Sequence, residues 1–461
     1  MSRSVALAGF AGSAALLGGV LISLSPSYAV LAAVVLLLGW GLSSPQRLNR
    51  TLFAVLFLVP VTADPGYPIP PVWTILLASA AIACLGRLRR LDPEAPLASA
   101  GMLAFLLPAI CAAAALFQWT GARALIAAVL PLLCYAVIIW HLVDEARREP
   151  DAMRQVARWL AWVGVPIALL AIYQRVTGTW PVLDQLATSN AFTAHAGPGR
   201  SAGTTGHPII YGSYCMAMMG VSLALRGRWW QVPFAANAIG LLLSGSRSAW
   251  IGIAAALVLW YLTQQRKITA RGVKTALISA GSVAVLLLVG PRAIRDVAAT
   301  AAARLTNLTG SPAALARYKR SNEAWSGIWD SFQSVVFGNG PEAHVQFFQE
   351  VGVSDGQAQT FDNSYLTLWY DFGAISLIGL LVLLMIPLVK FKSIAFRMLF
   401  TGFVIQIWFF DFYLWPCAAS VLILAICLGV ADSPALPSPA LGRRSRFSPG
   451  LALITHAEVG R

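Results

Sequence analysis

The sequence predicts an all-α fold, a polytopic helix bundle embedded in a lipid bilayer. Three observations predict it. Of 461 residues, 58% are hydrophobic and 11% charged, against roughly 45–50% and about 25% in an ordinary soluble domain. Apolar runs recur from one end of the chain to the other, at about the 17 to 25 residues a helix needs to cross about 30 Å of hydrocarbon. Alternating ten-residue strand patterns are missing, which argues against a transmembrane barrel. A helix bundle is the remaining way to satisfy backbone hydrogen bonds in lipid.

The elements follow in order. Met-Ser-Arg-Ser precedes an apolar run from Val5 to Leu24 with no polar segment before the next run, so it reads as a first span rather than a removed signal. Further spans fall at 28–43, 49–63, 71–86, 97–118, 122–143, 155–175, 208–225, 232–244, 248–264, 273–290, 365–390, 394–411 and 413–430. The segments 49–63, 71–86 and 232–244 carry Pro or Gly near their ends and read equally as half-spans, so the expected count is 12 to 14. Residues 1–430 form one transmembrane domain. Two segments protrude from it, 176–207 and a larger loop over 291–364. The tail 431–461, rich in Ser, Pro and Arg, reads as disordered.

The formal net charge of +14 invites a nucleic-acid reading, and position argues against it. With the N-terminus inside, 23 of the 33 basic residues fall on the cytoplasmic side, and most of the other ten lie in the two long loops. Both termini are then cytoplasmic and both loops lie outside. The charge is a topology signal, and the expected partner is the lipid bilayer, not nucleic acid. The six cysteines lie in or beside apolar segments, which argues against a disulfide framework. No Asp-x-Asp or His-x-x-x-His pair appears, so no metal site and no cofactor is expected.

Four clusters on the outer side carry the chemistry. They are Arg200 with Gly203, Gly206 and His207-Pro208; Ser244-Gly-Ser-Arg247-Ser-Ala-Trp250; Arg317-Tyr-Lys-Arg320; and Asp362-Asn363-Ser-Tyr365-Leu366. An arginine at a membrane boundary costs desolvation energy unless it pairs, and its planar fork suits phosphate oxygens. Arg247 sits between two spans in a loop too short for solvated decoration. It reads equally as a phosphate partner or as a helix-cap arginine bonded to carbonyls. Arg317 and Arg320 are neighbours on a helix face, where a solvated face is the competing reading. Asp362 and Asn363 stand just before a span, where either is also a candidate helix N-cap. His207, His344 and His195 are the outer-side histidines, and solvated loop histidines are the bland alternative. Trp325, Ile328, Trp329 and Phe332 share one face of a helix expected over 313–332, resting on the membrane or the bundle. Phe337-Gly-Asn-Gly-Pro341 is a turn signal.

In order and membrane placement these clusters resemble the superfamily of bacterial O-antigen ligases and O-antigen and exopolysaccharide polymerases, over roughly 160–430. Arg200 with His207-Pro208 is similar to the family's first arginine loop and Ser246-Arg247-Ser248 to its second. The large loop with an arginine, a tryptophan and Phe-Gly-x-Gly-Pro is also of the family's kind. In one place the chain departs from the ligases, which carry His-Asn where it has Asp362-Asn363. That substitution is closer to the polymerases.

The resemblance implies a metal-independent, inverting glycosyltransferase of the bacterial inner membrane with a periplasmic site. It polymerises polyprenyl-pyrophosphate-linked oligosaccharides, with a chain-length regulator as a further partner. Asp362, Arg247 and Arg200 are then the catalytic candidates. Arg317, Arg320, His207, Asn363, Tyr365, Trp325 and His344 are the substrate-binding ones. A ligase acting on lipid A core differs only in acceptor. A transporter is the rival of another class; it predicts two similar halves with broken helices and ionisable residues at mid-membrane, whereas the sequence shows no internal repeat and gathers its polar residues at the outer face.

Overall fold

The computed structural model describes residues 44–58, 71–88, 100–118, 121–180, 200–263, 299, 312–351, 361–411 and 415–433. The expected spans 5–24, 28–43 and 273–290, His195, residues 300–311 and the tail beyond 433 lie outside them. Among the described residues every regular element is helical, with no strand.

In chain order the helices are α1 (Pro45–Leu58), α2 (Pro71–Leu88), α3 (Leu106–Phe117, entered through a 3-10 turn Ala100–Phe105), α4 (Ala122–Arg148) and α5 (Pro150–Thr177). Then come α6 (Pro208–Ala224), α7 (Gln231–Ser244), α8 (Arg247–Thr263), α9 (Pro312–Ile328), α10 (Phe332–Phe337), α11 (Ala343–Glu350), α12 (Ser364–Lys390), α13 (Ile394–Gln406) and α14 (Pro416–Ala431). Three of them, α4, α5 and α12, are long and apolar enough to cross a bilayer by length and composition. Helices α6, α7, α8, α13 and α14 are apolar but shorter, at 13 to 17 residues. At about 1.5 Å per residue they reach about 20–26 Å, short of the about 30 Å of a hydrocarbon core.

Packing is helix on helix around one apolar core, with α8 against α13, α7 against α5 and α6, and α2 against α4. A network of hydrogen bonds gathers one end of the bundle. Ser201 N–H donates to the Leu243 carbonyl (2.9 Å), Ser364 N–H to that of Ile407 (2.9 Å), and Cys417 Sγ to that of Ile210 (3.6 Å). The starts of α6, α12 and α14 and the ends of α7 and α13 thus share that end. At the opposite end Arg154 ties the start of α5 to the end of α14 through Asp432 (2.7 Å).

Two expectations are corrected. The span drawn to 411 stops as a helix at Gln406, so Asp411 lies in the connection to α14. The helix drawn over 313–332 ends at Ile328, because Ser331 caps a new helix through Ser334 N–H (3.0 Å). The expected common face divides accordingly. Ile328 is buried with Phe348, Phe361 and Tyr370, while Phe332 is exposed.

Candidate functional site

The site is assembled where short helices end. Helix α7 stops at Gly245, which takes a left-handed φ of 59° that suits glycine, and α8 begins two residues later at Arg247. Arg200 lies against this corner, its Nε donating to the Ser244 carbonyl at 2.9 Å. The two arginine loops, 47 residues apart in sequence, therefore converge. Arg247 is half-buried at the first turn of α8, where the helix dipole also favours an anion.

The start of α12 forms the second wall. Asn363, not Asp362, is its N-cap, its Oδ1 accepting from Tyr365 N–H (3.1 Å) and Leu366 N–H (3.2 Å). Asp362 precedes the cap with a left-handed φ of 54°, a conformation that Asp and Asn adopt more readily than most residues. One residue turns the chain and the next caps the helix. Tyr365 donates to the Val404 carbonyl (3.3 Å) and its ring lies 5.5 Å from that of Trp408.

Between these walls runs a cavity of about 990 Å³. Ile251, one helical turn on from Arg247, lines one side. Tyr318, Ser321 and Trp325 of α9 line another, and Asn363 and Tyr365 the third. Arg320 lies on α9 between the first two of these, its guanidinium carbon 5.6 Å from the centre of the Phe348 ring. Trp325 and Trp329 both meet Trp369 edge-on, at 5.1 and 6.0 Å between ring centres. Arg317 is helical in α9, and its side chain lies outside the described residues.

The large loop is locked to α12 through backbone. Asn339 N–H donates to the Tyr370 carbonyl (2.8 Å) and Gly340 N–H to that of Asp371 (3.1 Å). Gly338 and Gly373 face each other across this junction, both at positive φ, and a Cβ on either meets the other strand's backbone. Beneath it His344 is buried. Its Nδ1 lies 2.6 Å from Asp371 Oδ2 and its N–H donates to Asp371 Oδ1 at 3.0 Å. Burial works against the charged imidazole, but the charge and hydrogen bond of Asp371 outweigh it and hold His344 above the usual histidine value. His344 was expected at the substrate; the geometry gives it this internal partner. His207 likewise serves α6 as its N-cap, Nδ1 accepting from Ile209 N–H (3.3 Å), with its ring 5.3 Å from that of Trp415.

Asp411 went unnoticed in the sequence. Only 1% exposed, it takes a 2.8 Å hydrogen bond from the Thr367 hydroxyl at Oδ1. Burial first, and then the charge of Asp362, push its carboxyl up to about 7 against the pull of His344. The available signal was an acidic residue at the end of an apolar segment, where ionisable groups are expensive.

The model of the O-antigen ligase family matches residues 232–384. This stretch carries the superfamily resemblance. It runs from α7 through Arg247, the large loop and Asp362 to Leu384, in the last two turns of α12. The match supports an O-antigen ligase or polymerase type of membrane enzyme, and the family suggests glycosyl transfer with lipid-linked glycans as substrates. No curated protein matches the chain.

Proposed function

We propose that the protein polymerises polyprenyl-pyrophosphate-linked oligosaccharide repeats on the periplasmic face of the bacterial inner membrane. The observation that supports this reading is the cavity lined by Ile251 of α8, by Tyr318, Ser321 and Trp325 of α9 and by Asn363 and Tyr365 at the start of α12, with Arg247 one helical turn before Ile251 and Asp362 next to Asn363. An acceptor hydroxyl attacks the anomeric carbon of the donor. The carbon–oxygen bond to the diphosphate breaks, and polyprenyl diphosphate leaves. Asp362 accepts the hydroxyl proton as the general base. Arg247, Arg200 and Arg320 meet the charge that grows on the leaving group, and preorganised donors of this kind are worth most in a site closed to water. Arg317 joins them in the proposal from its place on α9. A single displacement of this kind inverts the anomeric centre. The aromatic lining suits the flat apolar faces of sugars and the prenyl chain.

The description of the matching family keeps a second reading open, transfer of finished glycan to lipid A core. The glycolipids that accumulate on deletion separate the two. Single lipid-linked repeats support the polymerase; full-length lipid-linked polymer supports the ligase and overturns it.

A further inference from the structure

Asp411 is a buried carboxyl that the transfer chemistry above does not use. Its surroundings contain a hydrogen-bond conflict. The Thr367 hydroxyl lies 2.8 Å from Asp411 Oδ1 and 3.0 Å from the Asn363 carbonyl. Both neighbours are acceptors if Asp411 is ionised, and a hydroxyl has one hydrogen to give. A proton on Asp411 removes the conflict: Asp411 donates to Thr367, and Thr367 donates to Asn363. Asp411 Oδ2 points the same way. It is buried without a partner among the described residues, a cost that a neutral carbonyl bears far better than a carboxylate. The groups whose charges act on Asp411 are Asp362 from the loop before α12, His344 from α11 and Asp371 from α12. His207 lies across Trp415 from the same connection. Asp362 and Asp371 disfavour a third negative charge in this corner, against the opposing pull of His344.

We propose that Asp411 is a positioning residue of the transfer site, protonated in the working state, whose hydrogen bond through Thr367 fixes the Asn363 cap and so the place of Asp362. The inference rests on Asp362 being the base. The two carboxyls then divide their tasks by environment, the one at the turn to accept a proton and the buried one to give a hydrogen bond. Rising pH ionises Asp411, breaks the bridge to the cap and brings a second negative charge beside Asp362. The lowered affinity for a diphosphate donor follows from the same charge.

The test uses the full-length protein in proteoliposomes with a synthetic polyprenyl-diphosphate-linked repeat, and records initial rates from pH 5.5 to 9. The wild-type rate falls above neutrality, approaching about tenfold per pH unit for loss of one essential proton. Asp411→Asn keeps a donor toward Thr367 and does not titrate, so that limb disappears. A limb unchanged in Asp411→Asn, or a folded Asp411→Asn inactive at every pH, overturns the proposal. An infrared titration of the protonated-carboxyl band reads Asp411 without any turnover. The wild type shows a buried acid titrating near neutrality, and Asp362→Asn shifts it to lower pH by removing a like charge. Absence of that band in the wild type overturns the proposal even where Asp411→Asn fails to fold. Failure of the transfer reading has a different signature, an undiminished rate in Asp362→Asn.

Discussion

Buried charge is handled in opposite ways at the two ends of this bundle. At the end where α2, α4 and α14 finish, cations and carboxylates are matched. Arg87 pairs with Asp144 at 2.8 Å and lies 3.6 Å over the Trp140 ring, and Arg154 joins Asp151 and Asp432. At the other end carboxylates gather around one histidine, and Arg200 donates from Nε to the Ser244 carbonyl. Matched ion pairs tie helices of the bundle together; the clustered carboxylates and the Arg200 turn belong to the end where the transfer site is proposed. The comparison separates structural from functional charge, and mutation at each end tests it.

The largest effect is expected from Asp362→Asn. The cap belongs to Asn363, and Asn adopts the left-handed φ of this position as Asp does, so expression and thermal stability stay at wild-type values. Turnover of a purified lipid-linked repeat falls by about 100- to 10,000-fold, the usual worth of a general base. A wild-type rate places the base elsewhere. Arg247→Ala follows, with a loss of about 100- to 1,000-fold as for a single lost oxyanion donor. Arg247→Lys recovers only part of it because a point charge lacks the bidentate fork. Full activity in the Lys variant reduces the role to simple charge, and in the Ala variant removes Arg247 from the site.

Much of this site was legible because its clusters are local. Arg200 with Gly203, the Ser246-Arg247-Ser248 turn and the Asp362-Asn363 corner each fit within one turn of chain, and the hydrophobic periodicity places them at one end. The helical character of α4, α5 and α12 was legible for the same reason, as long uninterrupted apolar runs. What the sequence withheld depends on contacts between distant segments. Nothing local says that Asn363 rather than Asp362 points back into α12, since both residue types cap helices. The His344–Asp371 pair spans 27 residues, and Thr367–Asp411 spans 44. Trp325 and Phe332 share a face only if one helix contains both, and the Ser331 cap breaks that helix.

A smaller but broader effect is expected at the loop junction. Gly373 has φ 73° and ψ −178°, a region that is essentially glycine's alone, and a Cβ there meets the Val336 carbonyl. Gly373→Ala costs about 1–3 kcal/mol from backbone conformation before any clash is relieved. The lowered melting temperature and faster proteolysis of the large loop are both measurable, and activity falls with them rather than selectively. A stable Gly373→Ala protein with normal loop protection means the junction tolerates displacement, and the lock between Asn339, Gly340 and α12 is weaker than its hydrogen bonds suggest.

The smallest effect is expected at the matched end, and it is the control for the rest. Asp144→Asn removes the charge that pairs with Arg87 at 2.8 Å and Arg148 at 3.4 Å while keeping a side chain of the same shape. Arg87 keeps its seat over Trp140, and the Arg87 and Asp144 side chains are each nearly a fifth exposed, so water and lipid headgroups replace part of the lost attraction. Partly solvated pairs are worth about 1 kcal/mol or less, a shift in melting temperature at the edge of detection. Transfer activity is unchanged, because nothing at this end lines the cavity between α8, α9 and α12. A loss of turnover in Asp144→Asn comparable to that in Asp362→Asn, at unchanged stability, couples the two ends and dissolves the distinction between structural and functional charge.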